Sequence, residues 1–184
     1  MLFTGKGDDG NTNLFGCCGQ RISKSSTVAE ALGAVDEINS FLGVTKIAAD
    51  KKTAQILNQV QQDLFIIQAE LAGAKKKIVP KKVTALEKII AEIEKKLPPI
   101  KTFLISGGTA LSVQLDYGRA VARRAERRVV QVNQGLALKT NSQGKALAST
   151  TILAYLNRLS SLLYALARLE NHKSGIKEES PRYQ

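Results

Sequence analysis

Apolar residues recur three and four positions apart along five stretches of the chain, the spacing that gathers them on one face of an α-helix. Val28, Leu32, Val35, Ile38, Leu42 and Thr45 predict a first helix, opened by a capping box between Thr27 and Glu30. Ile56, Val60, Leu64, Ile67 and Leu71 predict a second over residues 53–75. Leu86, Ile89, Ile93 and Leu97 predict a third over 82–96, stopped by Pro98-Pro99, which cannot continue it. Ile152, Leu156, Leu159, Leu163 and Leu166 form the apolar side of a last helix over 149–171, with Asn157, Ser161 and Tyr164 on its opposite side.

The remaining helix, residues 116–131, reads DYGRAVARRAERRVVQ and has a different make-up. At roughly 100° per residue, Leu111, Leu115, Gly118, Ala122, Ala125, Val129 and Val132 make one narrow stripe of mostly small residues. Arg119, Arg123, Glu126 and Arg127 share the flank beside it, and Arg124 and Arg128 fall on the other flank. Such a helix buries its seam against neighbours while holding a row of guanidinium groups; the row is either a polyanion clamp or a charged solvent face.

Between the helices the period disappears. Residues 1–26 are rich in Gly, Asn, Asp, Ser and Thr and predict a structured loop or a disordered arm. Residues 100–109, IKTFLISGGT, read as an extended segment ending in a tight Gly107-Gly108 turn, with Thr109 placed to cap the arginine helix and Phe103 just ahead of it. Residues 133–148 predict a polar linker, and 172–184 a polar, frayed tail. Short connections and helical stripes define an all-α, up-and-down five-helix bundle in a single domain over 1–184: loop 1–26, bundle 27–171, tail 172–184.

Composition sharpens this picture. Hydrophobic residues make up 43% and aromatics only 5%, which suits a bundle packed by Leu, Ile, Val and Ala. The formal charge of +11 points to anionic partners, although Lys51-Lys52, Lys75-Lys76-Lys77 and Lys81-Lys82 read as solvated helix ends and loops. No apolar run approaches the roughly 18 residues of a membrane span, and MLFTGKGDDG lacks signal-peptide architecture, so a soluble cytoplasmic protein without membrane partners is expected. The adjacent Cys17 and Cys18 are expected to be free thiols. With His172 as the sole histidine, lying in the tail, histidine acid/base chemistry and histidine metal sites are excluded.

The loop TGKGDDGNTNL offers the complementary chemistry. Its glycines let backbone amides approach a phosphate, Lys6 adds charge, and Asp8 or Asp9 could hold a divalent cation through water. Basic residues on a helix also suit a nucleic-acid-binding protein, and interhelical ion pairs suit a non-catalytic assembly protein. Few aromatics, Glu126 within the row and the small-residue seam weigh against the first; the Gly-Asp loop weighs against the second.

Three segments, TGKGDDGNTNL with Arg21 and Lys24, FLISGGT running into RAVARRAERRVV, and YLNRLSSLLYALAR, together resemble the PduO-type ATP:cob(I)alamin adenosyltransferases. ALGAVDEINSFLG is similar to that family's first helix, so the likeness runs from Thr4 to Asn171. It implies a homotrimer with ATP at each subunit interface, cobalamin alongside as substrate, Mg²⁺ on the triphosphate rather than on protein side chains, and hand-off of product to an adenosylcobalamin-dependent enzyme. Thr4, Gly5, Lys6, Gly7, Asp8 and Gly10, with Arg21 and Lys24, would wrap the phosphates, and Arg123, Glu126, Arg127 and Asn157 would be the helix-borne ATP contacts. Arg119 and Arg123 would act at the reaction centre, Asp36 would pair with Arg119, and Phe103 would keep the lower axial position of cobalt empty. Ser106 stands where the family commonly has proline, and Cys17-Cys18 is an unusual pair of thiols near the loop.

The implied reaction is attack by cobalt(I) on C5′ of ATP. Cobalt(I) is itself a strong nucleophile, so a chain without an activated Ser, Cys or His suffices, provided that it aligns the reactants and neutralises a triphosphate leaving group.

Overall fold

The computed structural model describes residues 2–14, 21–139 and 148–183 and contains the five expected helices: α1 (Thr27–Ile47), α2 (Lys51–Leu71), α3 (Pro80–Glu94), α4 (Ala110–Lys139) and α5 (Thr150–Lys173). Cys17 and Cys18 lie outside the described residues. Each helix packs by the stripe that its sequence marks out. Val35, Ile38 and Leu42 of α1, Leu57, Val60, Leu64 and Ile67 of α2, and Ile152, Leu156, Leu159 and Leu163 of α5 are buried in one continuous core. Fully burying each such side chain contributes about 1.5–3 kcal/mol.

The centre of the bundle is α4, which packs on α1 along one side and on α5 along the other, while α2 covers α1 and α3 covers α5. Its predicted seam is buried throughout, from Leu111 to Val132. Small residues there let the neighbours come close: a Cβ added at Gly118 would lie 3.4 Å from the Phe41 ring of α1 and 3.6 Å from Leu163 of α5.

A buried polar tie joins three other helices. Asp63 of α2, 1% exposed, accepts from the Tyr155 hydroxyl of α5 at 3.0 Å and pairs with Lys82 of α3 at 2.9 Å. Burial, reinforced by the Asp63 charge, pushes the Tyr155 hydroxyl far above its ordinary pKa, so it remains a neutral donor.

The helix ends depart from expectation in instructive ways. The first helix is capped by Ser26, whose side chain accepts from the Ala29 amide at 3.3 Å, and Thr27 is its first residue, so the Thr27–Glu30 box is displaced by one position. Asp50 caps α2, which starts at Lys51, two residues ahead of the predicted start, and Pro80 opens α3, where its missing N–H costs nothing. The fourth helix continues to Lys139, through the first part of the predicted 133–148 linker. The residues there read NQGLALK, whose Leu, Ala and Lys are good helix formers, and Gly135 alone does not break the run. From within α4 the Asn133 side chain holds the Ala148 backbone at both its N–H and its carbonyl, each at 3.0 Å, just ahead of α5.

Two segments without a helical period are also ordered. Residues Asn11–Asn13 (β1) and Arg21–Ser23 (β2) form an antiparallel hairpin with Thr12 opposite Ile22. The C-terminal segment is not frayed: α5 reaches Lys173, and the chain then turns back so that the Glu179 carbonyl accepts from the Ile105 amide at 2.8 Å.

Candidate active site

The Gly107-Gly108 turn sets the approach to α4. Gly108 adopts φ +108°, and a Cβ there would fall 2.0 Å from Oδ1 of Asn171, so neither the backbone conformation nor the space admits a side chain. Thr109 then caps the helix as expected, its hydroxyl accepting from the Ser112 amide at 3.1 Å. Immediately ahead, Phe103 projects from an irregular loop with its side chain mostly exposed, at 79%.

Phe103 faces a cavity of about 430 Å³ whose wall includes Arg119, Arg123, Ser160, Ser161 and Tyr164. The structure thus brings Phe103, Arg119 and Arg123 to one cavity. Arg119 is fixed on two sides: its Nε donates to Asp116 at 3.0 Å, and its guanidinium lies 5.9 Å from the centre of the Tyr164 ring. Burial pushes the Tyr164 phenol above its ordinary pKa, which keeps it neutral. Farther along α4, Glu126 accepts from the Asn157 amide of α5 at 3.1 Å, so these two expected ATP contacts also meet. Asn157 is itself held by Arg158, which donates to its oxygen at 2.6 Å and pairs with Glu87 of α3. Arg123 and Arg127 make no ion pair among the described residues and keep their donors available.

Asp36 and Arg119 are not brought together within one chain. Within the chain the acidic partner of Arg119 is Asp116, three residues earlier on the same helix. Asp36 instead accepts from Gln68 at 3.1 Å and lines a separate cavity of about 490 Å³ between α1 and α2, beside the exposed Phe65. An i, i+3 acid–base pair was available in the sequence as the local alternative.

The N-terminal residues build a second concavity. Thr4, Lys6, Gly7, Asn11, Thr12, Asn13, Arg21 and Lys24 line about 590 Å³. Arg21 donates to the Lys6 carbonyl and, at 2.8 Å, to Asp9, while Lys24 donates to the Gly7 carbonyl at 2.7 Å. Gly5 and Gly10 take positive φ at the turns around Asp8. The loop is thus shaped by the two cations expected to assist it. Among the described residues, no hydrogen bond or ion pair joins this concavity to α4, and the two cavities share no lining residue.

The chain is thus a five-helix bundle that carries a glycine-rich, cation-lined loop and, apart from it, an arginine row beside an exposed aromatic. The chain belongs to the cobalamin adenosyltransferase family, whose pattern it matches over residues 2–170. It is 37% identical over 194 residues to the corrinoid adenosyltransferase PduO of Salmonella typhimurium, covering 99% of this chain and 54% of that one. It is also 34% identical over 185 residues to a corrinoid adenosyltransferase of Bacillus subtilis, with 95% and 89% covered. The chain thus spans about half the length of the PduO relatives that it matches. In structure it resembles a phenylalanine-to-alanine variant of the PduO-type ATP:corrinoid adenosyltransferase from Lactobacillus reuteri, complexed with cobalamin and ATP, at a TM-score of 0.85, 30% identity and full coverage of both chains.

Proposed function

We propose that this chain transfers the 5′-deoxyadenosyl group of ATP to cob(I)alamin, forming the cobalt–carbon bond of adenosylcobalamin and releasing triphosphate. Family membership supports the reaction class, and the observation that carries the reading is the shared cavity of Phe103, Arg119, Arg123 and Tyr164. Cobalt(I) attacks C5′, the C5′–O bond breaks, and its electrons leave on the triphosphate. Arg123 and Arg127 bind the departing phosphates, because guanidinium groups remain charged when partly desolvated and grip oxygens in pairs. The Glu126–Asn157 pair contacts the nucleoside end of ATP, and Phe103 shields the lower face of the corrinoid from water and from an axial ligand. Mg²⁺ arrives with ATP as part of the substrate.

The active unit is a homotrimer in which the N-terminal loop of one subunit closes over the arginine row of the next. The separation of the two cavities in one chain supports this, since the loop cations and the arginine row line different concavities. The exposed position of Asp36 supports it too: a carboxylate unmatched to Arg119 within the chain is free to meet the arginine of a neighbour. Residues 1–184 act as one domain. No helix of the described residues is long and apolar enough to cross a membrane, and we place the enzyme in the cytoplasm, where its product passes to an adenosylcobalamin-dependent enzyme.

The test is incubation with pre-reduced cobalamin and Mg·ATP. Loss of the cob(I)alamin spectrum with appearance of a light-sensitive product is expected; no product under these conditions would refute the assignment.

A further inference from the structure

The loop that carries Phe103 has no regular secondary structure, and Ile100, Phe103 and Ile105 are all exposed, so core packing does not fix its pose. Its two ends are instead fastened from one place, the C-terminal end of α5. At the far end, Asn171 donates to the Gly107 carbonyl at 2.9 Å and accepts from the Thr109 amide at 3.2 Å. At the near end, Arg168 donates to the Pro98 carbonyl at 3.1 Å. The same guanidinium is gripped by both carboxylate oxygens of Glu178, at 3.1 and 3.0 Å through Nε, and the Arg168 side chain is only 8% exposed.

Glu178 is brought there by the chain reversal after α5. Ile176 donates its amide to the Asn171 carbonyl at 2.9 Å, and Glu179, one residue past Glu178, accepts the amide of Ile105. The reversed segment therefore holds the Phe103 loop from both sides of Phe103, at Pro98 through Arg168 and at Ile105 directly. A cavity of about 350 Å³ remains between it and residues 97–104, so the segment ties the loop by polar bonds more than by filling space. A nearly buried ion pair is costly to desolvate and is a weak source of net stability. Its geometry, bidentate and aimed at one loop carbonyl, suits a positioning task.

We infer that residues 174–179, latched by Arg168 and Glu178, form a strap that sets the pose of Phe103 against the corrinoid, with Arg168 and Glu178 as positioning residues. This rests on the role proposed above for Phe103. Neither latch residue lines the Phe103 cavity or belongs to the ATP-contacting row, so loosening the strap should affect the corrinoid side of the reaction and leave the nucleotide side alone.

The test uses the full chain carrying Glu178→Gln, a second variant ending at Lys177, and Phe103→Ala in parallel. Hydrogen exchange is read at the Ile105 amide, and turnover is measured from cob(II)alamin with a chemical reductant and from pre-reduced cob(I)alamin. In both strap variants, Ile105 exchange should accelerate about tenfold or more, as expected for a lost protecting hydrogen bond. Turnover from cob(II)alamin should fall several-fold further than turnover from cob(I)alamin, with the KM for ATP unchanged. Unchanged Ile105 exchange in the truncated chain would overturn the strap. So would equal losses from the two cobalt states in the strap variants while Phe103→Ala still separates them. Equal losses in Phe103→Ala itself would remove the Phe103 role and the strap's function with it.

Discussion

Arg119 and Arg124 stand on the same helix, yet they keep different company. Arg124 reaches across to Glu37 of α1, and Arg128 repeats the pattern with Glu30 at 3.9 Å, so this flank stitches two helices together through exposed charges. Arg119 turns the other way, held by Asp116 and stacked near Tyr164, at the edge of a cavity that also contains Arg123 and Phe103. Arg124 is matched by a carboxylate of another helix and has little left to offer a phosphate, whereas Arg123, beside the Arg119 cavity, makes no ion pair among the described residues and keeps its donors. Charge count alone does not separate the flanks; the acids on the neighbouring helices do.

Removing Arg119 should have the largest effect among the tests of this contrast. Arg119→Ala leaves Asp116, 9% exposed, without its cation and empties one wall of the cavity. Activity should fall by about a hundredfold, in line with the roughly 1.5–3 kcal/mol carried by a hydrogen bond to a charged group, while circular dichroism reports an intact bundle. A loss below about threefold would place Arg119 with the structural flank. Asn157→Ala should cost less: Glu126 loses its donor from α5, and ATP affinity should drop about tenfold by the same reckoning. An unchanged dissociation constant would leave Asn157 a helix–helix contact only. The smallest effect belongs to the opposite flank. Arg124→Ala combined with Arg128→Ala should keep turnover within about twofold, since exposed ion pairs contribute little, and should lower the thermal midpoint slightly. That decrease should shrink further in high salt, where such pairs are screened. A large loss of turnover in the double variant would erase the distinction between the flanks.

The division of α4 was legible before any coordinates, because the burial seam is written in residue size as well as polarity. Gly118, Ala122 and Ala125 fix which side faces α1 and α5, and the two arginine flanks follow by rotation. The Phe103 loop and the Thr109 cap were legible for a similar reason, since Gly107-Gly108 forces a turn at a defined place. What escaped was whatever depends on contacts distant in sequence or on very short elements. Strands of three residues carry too little alternation to register, so the Asn11–Asn13 hairpin was hidden within a loop assignment. The tail looked frayed because its order comes from Arg168 and the Ile105 amide, and no local pattern announces either partner. Within one chain Arg119 pairs with Asp116, three residues away on the same helix, and Asp36 is left on the surface. The fourth helix outruns the expected linker boundary because Leu136, Ala137, Leu138 and Lys139 are good helix formers that follow only two polar residues and one glycine.

The most direct test of the working row is calorimetric titration of Mg·ATP into Arg123→Ala and Arg124→Ala side by side. Affinity should weaken by about ten- to a hundredfold in Arg123→Ala, as for loss of a charged hydrogen-bond donor, and stay within about twofold of the parent in Arg124→Ala. Equal weakening in both, or unchanged affinity in Arg123→Ala, would contradict the assignment of the triphosphate to the Arg119–Arg123–Arg127 flank.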